Sequence, residues 1–277
     1  MDKIQYNNLS TTGPSPAIWA DCPVLDMALD PRIGYHVFDD FLSWPLIGTQ
    51  TTQIAHDKYK VFNTGSGVVT QVSAVNSVET SGGILSITLD TDNDSGSIAQ
   101  AYPSFLLTGS ATTSAKLWFE ARVAVNTIAT NTLGFMVGLA EVEQWTLATG
   151  VPFNGGDGIT NSASFIGFRK TEDGLGSIDS VYSDRATSFT NIGAGQASCT
   201  ANTFVKLGFR YDPSLLADCV SFYCDGVKMA TTFARSSVTG TTNLKANALG
   251  LIAAVIADSG GTSGAFYMDW WRVAQLR

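Results

Sequence analysis

Residues 220–233 read VSFYCDGVKMATTF, two short runs that meet at Asp225-Gly226. In the first run Val220, Phe222 and Cys224 fall on one side and Ser221 and Tyr223 on the other, the period-two pattern of a strand with one face on a core. The second run, Val227 to Phe233, is rich in β-branched and apolar residues. Asp-Gly tolerates the positive φ that a two-residue turn demands, so the stretch is predicted to be a β-hairpin.

The same reading extends in both directions. Residues 84–89, 116–125, 133–140, 164–169, 204–211, 249–257 and 265–274 also read as strands, with Gly, Asn, Asp, Ser and Thr filling the gaps. Val205, Leu207, Phe209 and Tyr211 share one face of their run. In 116–125, Leu117, Phe119, Ala121, Val123 and Val125 face one way, and Trp118, Glu120, Arg122 and Ala124 face the other, with Glu120 and Arg122 expected on the outward side. No segment of helical period is long enough to compete. Many strands with turn-rich gaps give an all-β fold, a jelly-roll β-sandwich spanning 38–277 with no linker to divide it.

Residues 1–37 differ. Pro14, Pro16, Pro23 and Pro31 interrupt every candidate element, which predicts an extended N-terminal arm without regular helix. Ile18, Trp19, Val24, Leu25, Met27 and Leu29 supply apolar anchors. Such an arm folds over its own domain or reaches a neighbouring subunit. For the second arrangement Trp19, Val24, Leu25 and Leu29 are the expected intersubunit anchors.

Composition narrows the partners. Of 277 residues 44% are apolar and 14% charged, and the net charge of −8 comes with scattered basic residues, so nucleic acid is not an expected partner. No window of about 18 apolar residues offers a membrane span, and the first residues lack the apolar middle of a secretory signal, so a soluble protein is expected. Cys22, Cys199, Cys219 and Cys224 contain no C-x-x-C pair. Cys219 and Cys224 on one strand would lie roughly 16 Å apart on opposite faces and cannot bridge, while Cys199 with either remains geometrically open. Four free, mostly buried thiols are expected, in keeping with synthesis in a reducing compartment.

Three stretches together carry a resemblance: KLWFEARVAV at 116–125, VKLGFRYDPSLLADCVSFYCDGVKMATT at 205–232, and FYMDWWRVAQLR at 266–277. Their order resembles the concanavalin A-like, laminin-G-type jelly roll, whose last strand returns beside the first. A narrower likeness rests on DPRIGYHVFDDFL at 30–42, DTDNDSGSIAQ at 90–100, KLWFEARV and the closing DWWRVAQLR. It is similar to structural proteins of tailed-bacteriophage virions, which often decorate or cement the capsid, commonly as trimers. The resemblance implies a non-enzymatic, trimeric protein on the capsid surface, made in the host cytoplasm. Its partners would be the major capsid protein or other virion proteins.

Other constellations are weaker. Asp90, Asp92 and Asp94 have the 1-3-5 spacing of a calcium loop, but Ser95 replaces the glycine at position six and Ala101 the acidic residue at position twelve. A solvated turn is the preferred reading, with Ca²⁺ as the alternative. Glu141 and Glu143 could project together from a strand end, yet the E-x-D-x-x-E pattern of some jelly-roll glycosidases is broken, and no active site is assigned. His36 and His56 are too few for a three-ligand metal site and accompany no nucleophile motif. Trp118 on the outward face and Trp145 after a strand end are candidate glycan or partner contacts, and one of Trp270 and Trp271 must leave the core face. The long loop VPFNGGDGITNS at 151–162 is a candidate partner contact. A glycan-binding module of a fibre or tail, or a divergent glycoside hydrolase, are the competing functions.

Overall fold

The computed structural model describes residues 12–42, 54–55, 58–64, 67–72, 83–89, 95–102, 104–107, 116–130, 132–141, 164–183, 189, 191–238, 248–257 and 264–277. In chain order the helices are α1 (Pro16–Trp19), α2 (Val24–Leu29) and α3 (Arg235–Val238). The strands are β1 (Gly34–Asp39), β2 (Ile54–Ala55), β3 (Tyr59–Thr64), β4 (Val68–Val72), β5 (Ile84–Leu89), β6 (Ser95–Gln100), β7 (Leu117–Val125) and β8 (Leu133–Ala140). They continue with β9 (Phe165–Lys170), β10 (Ser177–Ser183), β11 (Asn191–Ser198), β12 (Val205–Tyr211), β13 (Val220–Cys224), β14 (Val227–Phe233), β15 (Gly250–Ala257) and β16 (Gly264–Leu276).

The expected hairpin is β13–β14. Asp225 and Gly226 both have positive φ, at 49° and 79°, as a type I′ turn requires. Asp225 also accepts a hydrogen bond from the Lys206 amide at 2.9 Å, which ties the turn to β12. From this hairpin one antiparallel sheet runs in the order β14-β13-β12-β7-β16-β5-β4, with β1 added on β16. The second sheet runs β11-β10-β9-β8-β15-β6-β3-β2. The two inner faces interdigitate as a sandwich, as period-two alternation dictates. Phe119, Phe209, Phe222 and Trp271 from the first sheet meet Phe135, Val137, Ile166, Phe168 and Val255 from the second in one core. The jelly-roll sandwich expected from the sequence is the fold observed.

β1 pairs with the far half of β16, from Gly34 opposite Leu276 to Asp39 opposite Trp271. This strand straddles the expected boundary between residues 37 and 38. The upstream arm is not free of helix, because two of its four prolines stand at helix starts. Pro16 is the first residue of α1, where its missing N–H costs nothing, and Pro23 immediately precedes α2. All four cysteines are free.

Candidate functional site

The outer face of the first sheet carries the alternate residues of β7, β12 and β16, and the N-terminal arm lies over it. Ile18, Trp19 and Met27 pack with Trp118, Tyr223 and Ala274 into a separate apolar cluster. Gly208 makes the room: a Cβ there would stand 2.5 Å from Ile18 Cδ1. Trp19 Nε1 donates to Glu120 Oε2 at 2.7 Å, and the Ser15 amide donates to the same oxygen at 2.9 Å. The Trp19 ring lies under Arg272, whose guanidinium carbon is 4.3 Å from the ring centroid. Trp118 Nε1 donates to Asp21 Oδ1 at 3.0 Å, and Asp21 pairs with Arg210.

Glu120 and Arg122 are therefore outward on the sheet, as expected, but buried. Glu120 is wholly inaccessible, and burial pushes its carboxyl above the usual range despite the donors from Ser15 and Trp19 and the nearby Lys206. Arg122 bonds Asp269 at 2.5 Å and lies over the Phe204 ring. Trp118 is 1% exposed, so the expectation that it meets a glycan or partner is corrected: the chain's own arm covers it. Both Trp270 and Trp271 are buried as well. A bulge between Met268 and Trp270 sends Trp271 into the core, while Trp270 Nε1 donates to the Thr12 carbonyl at 2.8 Å.

The expected arm anchors divide into two groups. Trp19 and Val24 belong to the cluster just described, within the same chain. Leu25 and Leu29 point away from it, 54% and 84% exposed. His36 accepts from Arg272 Nε at 2.9 Å, which requires a neutral imidazole; burial and Arg272 hold its pKa down to about 4. Glu141 is buried at the end of β8, and its amide donates to the Ser164 carbonyl at 3.0 Å. Glu143, His56, Trp145, Asp90, Asp92, Asp94 and the 151–162 loop lie outside the described residues. Among the described residues no cluster of His, Cys, Asp and Glu is arranged to hold a metal.

The outer face of the second sheet carries buried apolar residues beside the Arg169–Asp179 ion pair. Phe62, Ala99, Met136, Ala140, Phe165, Val181, Phe189, Ile252 and Ala254 form a second buried cluster there. Among the described residues an open concavity lies at the rim where the two sheets meet, between β1 and the β3–β6 pair. It measures about 280 Å³ and is lined by Val37, Phe38, Asp39, Lys58, Tyr59, Gln100, Tyr102 and Trp271. Its floor is a relay of hydrogen bonds: Trp271 Nε1 donates to Tyr59 Oη at 2.7 Å, and Tyr59 Oη donates to Asp39 Oδ2 at 2.9 Å. Asp39 Oδ1 accepts from the Phe41 amide at 2.9 Å, which fixes the carboxylate at both oxygens. Lys58 Nζ stands 3.3 Å from Asp39 Oδ2. Gln100 Oε1 accepts from the Leu251 amide, so its NH₂ group is left as a donor. The Tyr102 ring rises at the lip at 74% exposure, while the Phe38 ring turns to the outer face of the first sheet, 6.4 Å from that of Trp270.

No known family profile matches the sequence, and no curated protein does either. Solved structures do share the fold. A protein of unknown function from Shewanella oneidensis MR-1 aligns over 88% of this chain and 87% of its own, at 12% identity and TM-score 0.52. An endo-1,3-β-glucanase from Streptomyces sioyaensis aligns over 89% and 98%, at 18% identity and TM-score 0.51. Peanut lectin aligns over 88% and 99%, at 15% identity and TM-score 0.51. At such identities the likeness establishes a concanavalin-like jelly roll and nothing finer. It also corrects one expectation. A transglycosylase and an endo-β-1,4-glucuronan lyase share the architecture with the glucanase, so this fold gives no ground for reading the chain as non-enzymatic.

Proposed function

We propose that this chain is a structural protein of a tailed-bacteriophage virion, a rigid jelly roll that decorates the capsid and stabilises it by binding across subunits. The observation that carries the reading is the pair Leu25 and Leu29, one turn apart on α2 and 54% and 84% exposed, on a segment otherwise fastened to the sheet. An apolar pair held rigidly in water is the signature of a surface meant to be covered. Each leucine, fully buried by a partner, contributes about 1.5–3 kcal/mol. A partner that binds only the assembled shell stabilises it by mass action. The sequence likeness to virion proteins supports the same reading, with homotrimers as the expected form.

Mass spectrometry of purified virions from the source phage tests this directly: the chain is expected in the particle, and its absence overturns the reading. Light scattering coupled to size exclusion tests the leucine pair. The full chain is expected to run as an oligomer, and the Leu25→Ser, Leu29→Ser double variant as a monomer.

A second reading, a glycan-binding module, is favoured by the rim cleft with its exposed Tyr102 ring and fixed carboxylate. The endo-1,3-β-glucanase and lectin neighbours support it.

A further inference from the structure

We infer that the rim cleft is a binding subsite for one uncharged pyranose unit of a glycan; this rests on the glycan-binding reading and assigns its site. A pyranose ring presents a face of C–H bonds and an edge of hydroxyls, so it needs an aromatic platform beside directed polar groups. Both are here. Tyr102, 74% exposed, offers an apolar face at the lip. Asp39, Lys58 and Gln100 provide an acceptor, a cationic donor and an amide donor on the wall.

The polar wall is built in advance of any ligand. Trp271 and Tyr59 are 1% and 2% exposed, and their relay holds Asp39 in one orientation without using all the lone pairs of its carboxylate. A ligand therefore meets a carboxylate that need not be ordered on binding. The Asp39–Lys58 pair leaves the wall close to neutral, and the chain carries a net charge of −8. Both facts disfavour a uronic acid and favour a neutral sugar. A cleft of about 280 Å³ is at the small end for ligand sites, suited to one ring with the rest of the glycan outside. The site lies at the rim between the sheets, away from the arm that covers the outer face of the first.

The test uses the full chain and four probes: methyl α-D-glucopyranoside, methyl β-D-galactopyranoside, N-acetylglucosamine and laminaritriose. Saturation-transfer NMR and tryptophan fluorescence follow binding up to about 20 mM, a range that covers the millimolar affinity expected of a single stacked ring. At least one probe is expected to bind. Tyr102→Ala, at an exposed position that does not support the core, is expected to weaken it about three- to tenfold, and Asp39→Asn to weaken it at least as much. Binding that neither variant changes overturns the assignment of this cleft and leaves the glycan-binding reading standing. Binding of none of the four probes overturns both.

Discussion

The indole N–H of Trp19 donates at 2.7 Å to a carboxylate oxygen of Glu120, a residue 101 positions away in the sequence and wholly buried. This bond fastens the N-terminal arm to the sheet. Trp19→Ala should cost about 3–5 kcal/mol, as for other buried aromatic truncations. Trp19→Phe keeps most of the packing but removes a donor from a buried carboxylate, and should cost about 1–3 kcal/mol. Urea denaturation of the two variants measures the difference.

Glu120 should make stability fall as pH rises. Burial lifts its pKa above the ordinary 4.5, so the folded state keeps a proton over a range in which the unfolded chain has lost it. The stabilisation is complete below 4.5 and is lost as pH climbs through the raised value. Glu120→Gln keeps an acceptor for Trp19 and does not ionise. Its melting temperature should therefore exceed that of the wild type at about pH 8, with a flatter dependence on pH.

His36 works in the opposite direction. Its pKa is held down to about 4 from 6.5, so the unfolded chain binds a proton first as the solution is acidified. The stability it contributes is present above 6.5 and is lost as pH falls through about 4. Proton NMR of the imidazole should show a midpoint near 4, and His36→Gln should lessen the acid sensitivity of the fold. A His36 resonance that titrates near 6.5 would count against the Arg272 hydrogen bond.

Gly138 and Gly167 face each other across β8 and β9. A Cβ on Gly138 would stand 2.2 Å from the Ile166 carbonyl oxygen and 2.7 Å from the Gly167 Cα, both backbone atoms that cannot swing aside. Gly138→Ala should cost about 1–3 kcal/mol through overpacking. Gly13→Ala, with no atom within 4 Å of the new methyl, should stay within about 0.5 kcal/mol of the wild type.

Legibility followed locality. The hairpin at Asp225-Gly226 and the strands with large alternating side chains could be read because period two is a local signal. β6 and β11, with the sequences SGSIAQ and NIGAGQAS, looked like gaps. Small polar residues make strands there only because β15 and β3, or β10, supply the ladder alongside. Trp118 and Glu120 were read on the correct side of β7, but no local pattern could show that residues a hundred positions upstream would cover them. Pro16 and Pro23 read as breakers, and proved to be helix openers. The rim cleft had no signature at all, since Lys58, Gln100 and Tyr102 lie at the paired ends of β3 and β6, and Asp39 reaches them only when β1 of the other sheet closes over them.

The position of β16 has a consequence for the order in which this chain acquires its shape. β7 flanks it on one side, while β5 and then β1 flank it on the other. Gly34 cannot find its partner Leu276 until nearly the whole intervening chain has been made. The arm, which rests on β7, β12 and β16, likewise has its complete seat only once β16 has been made. Contacts of such sequence separation are slow to form, because the entropy of closing the loop is lost before any of them contributes. During synthesis the early strands must wait with an edge open until β16 emerges to pair with them.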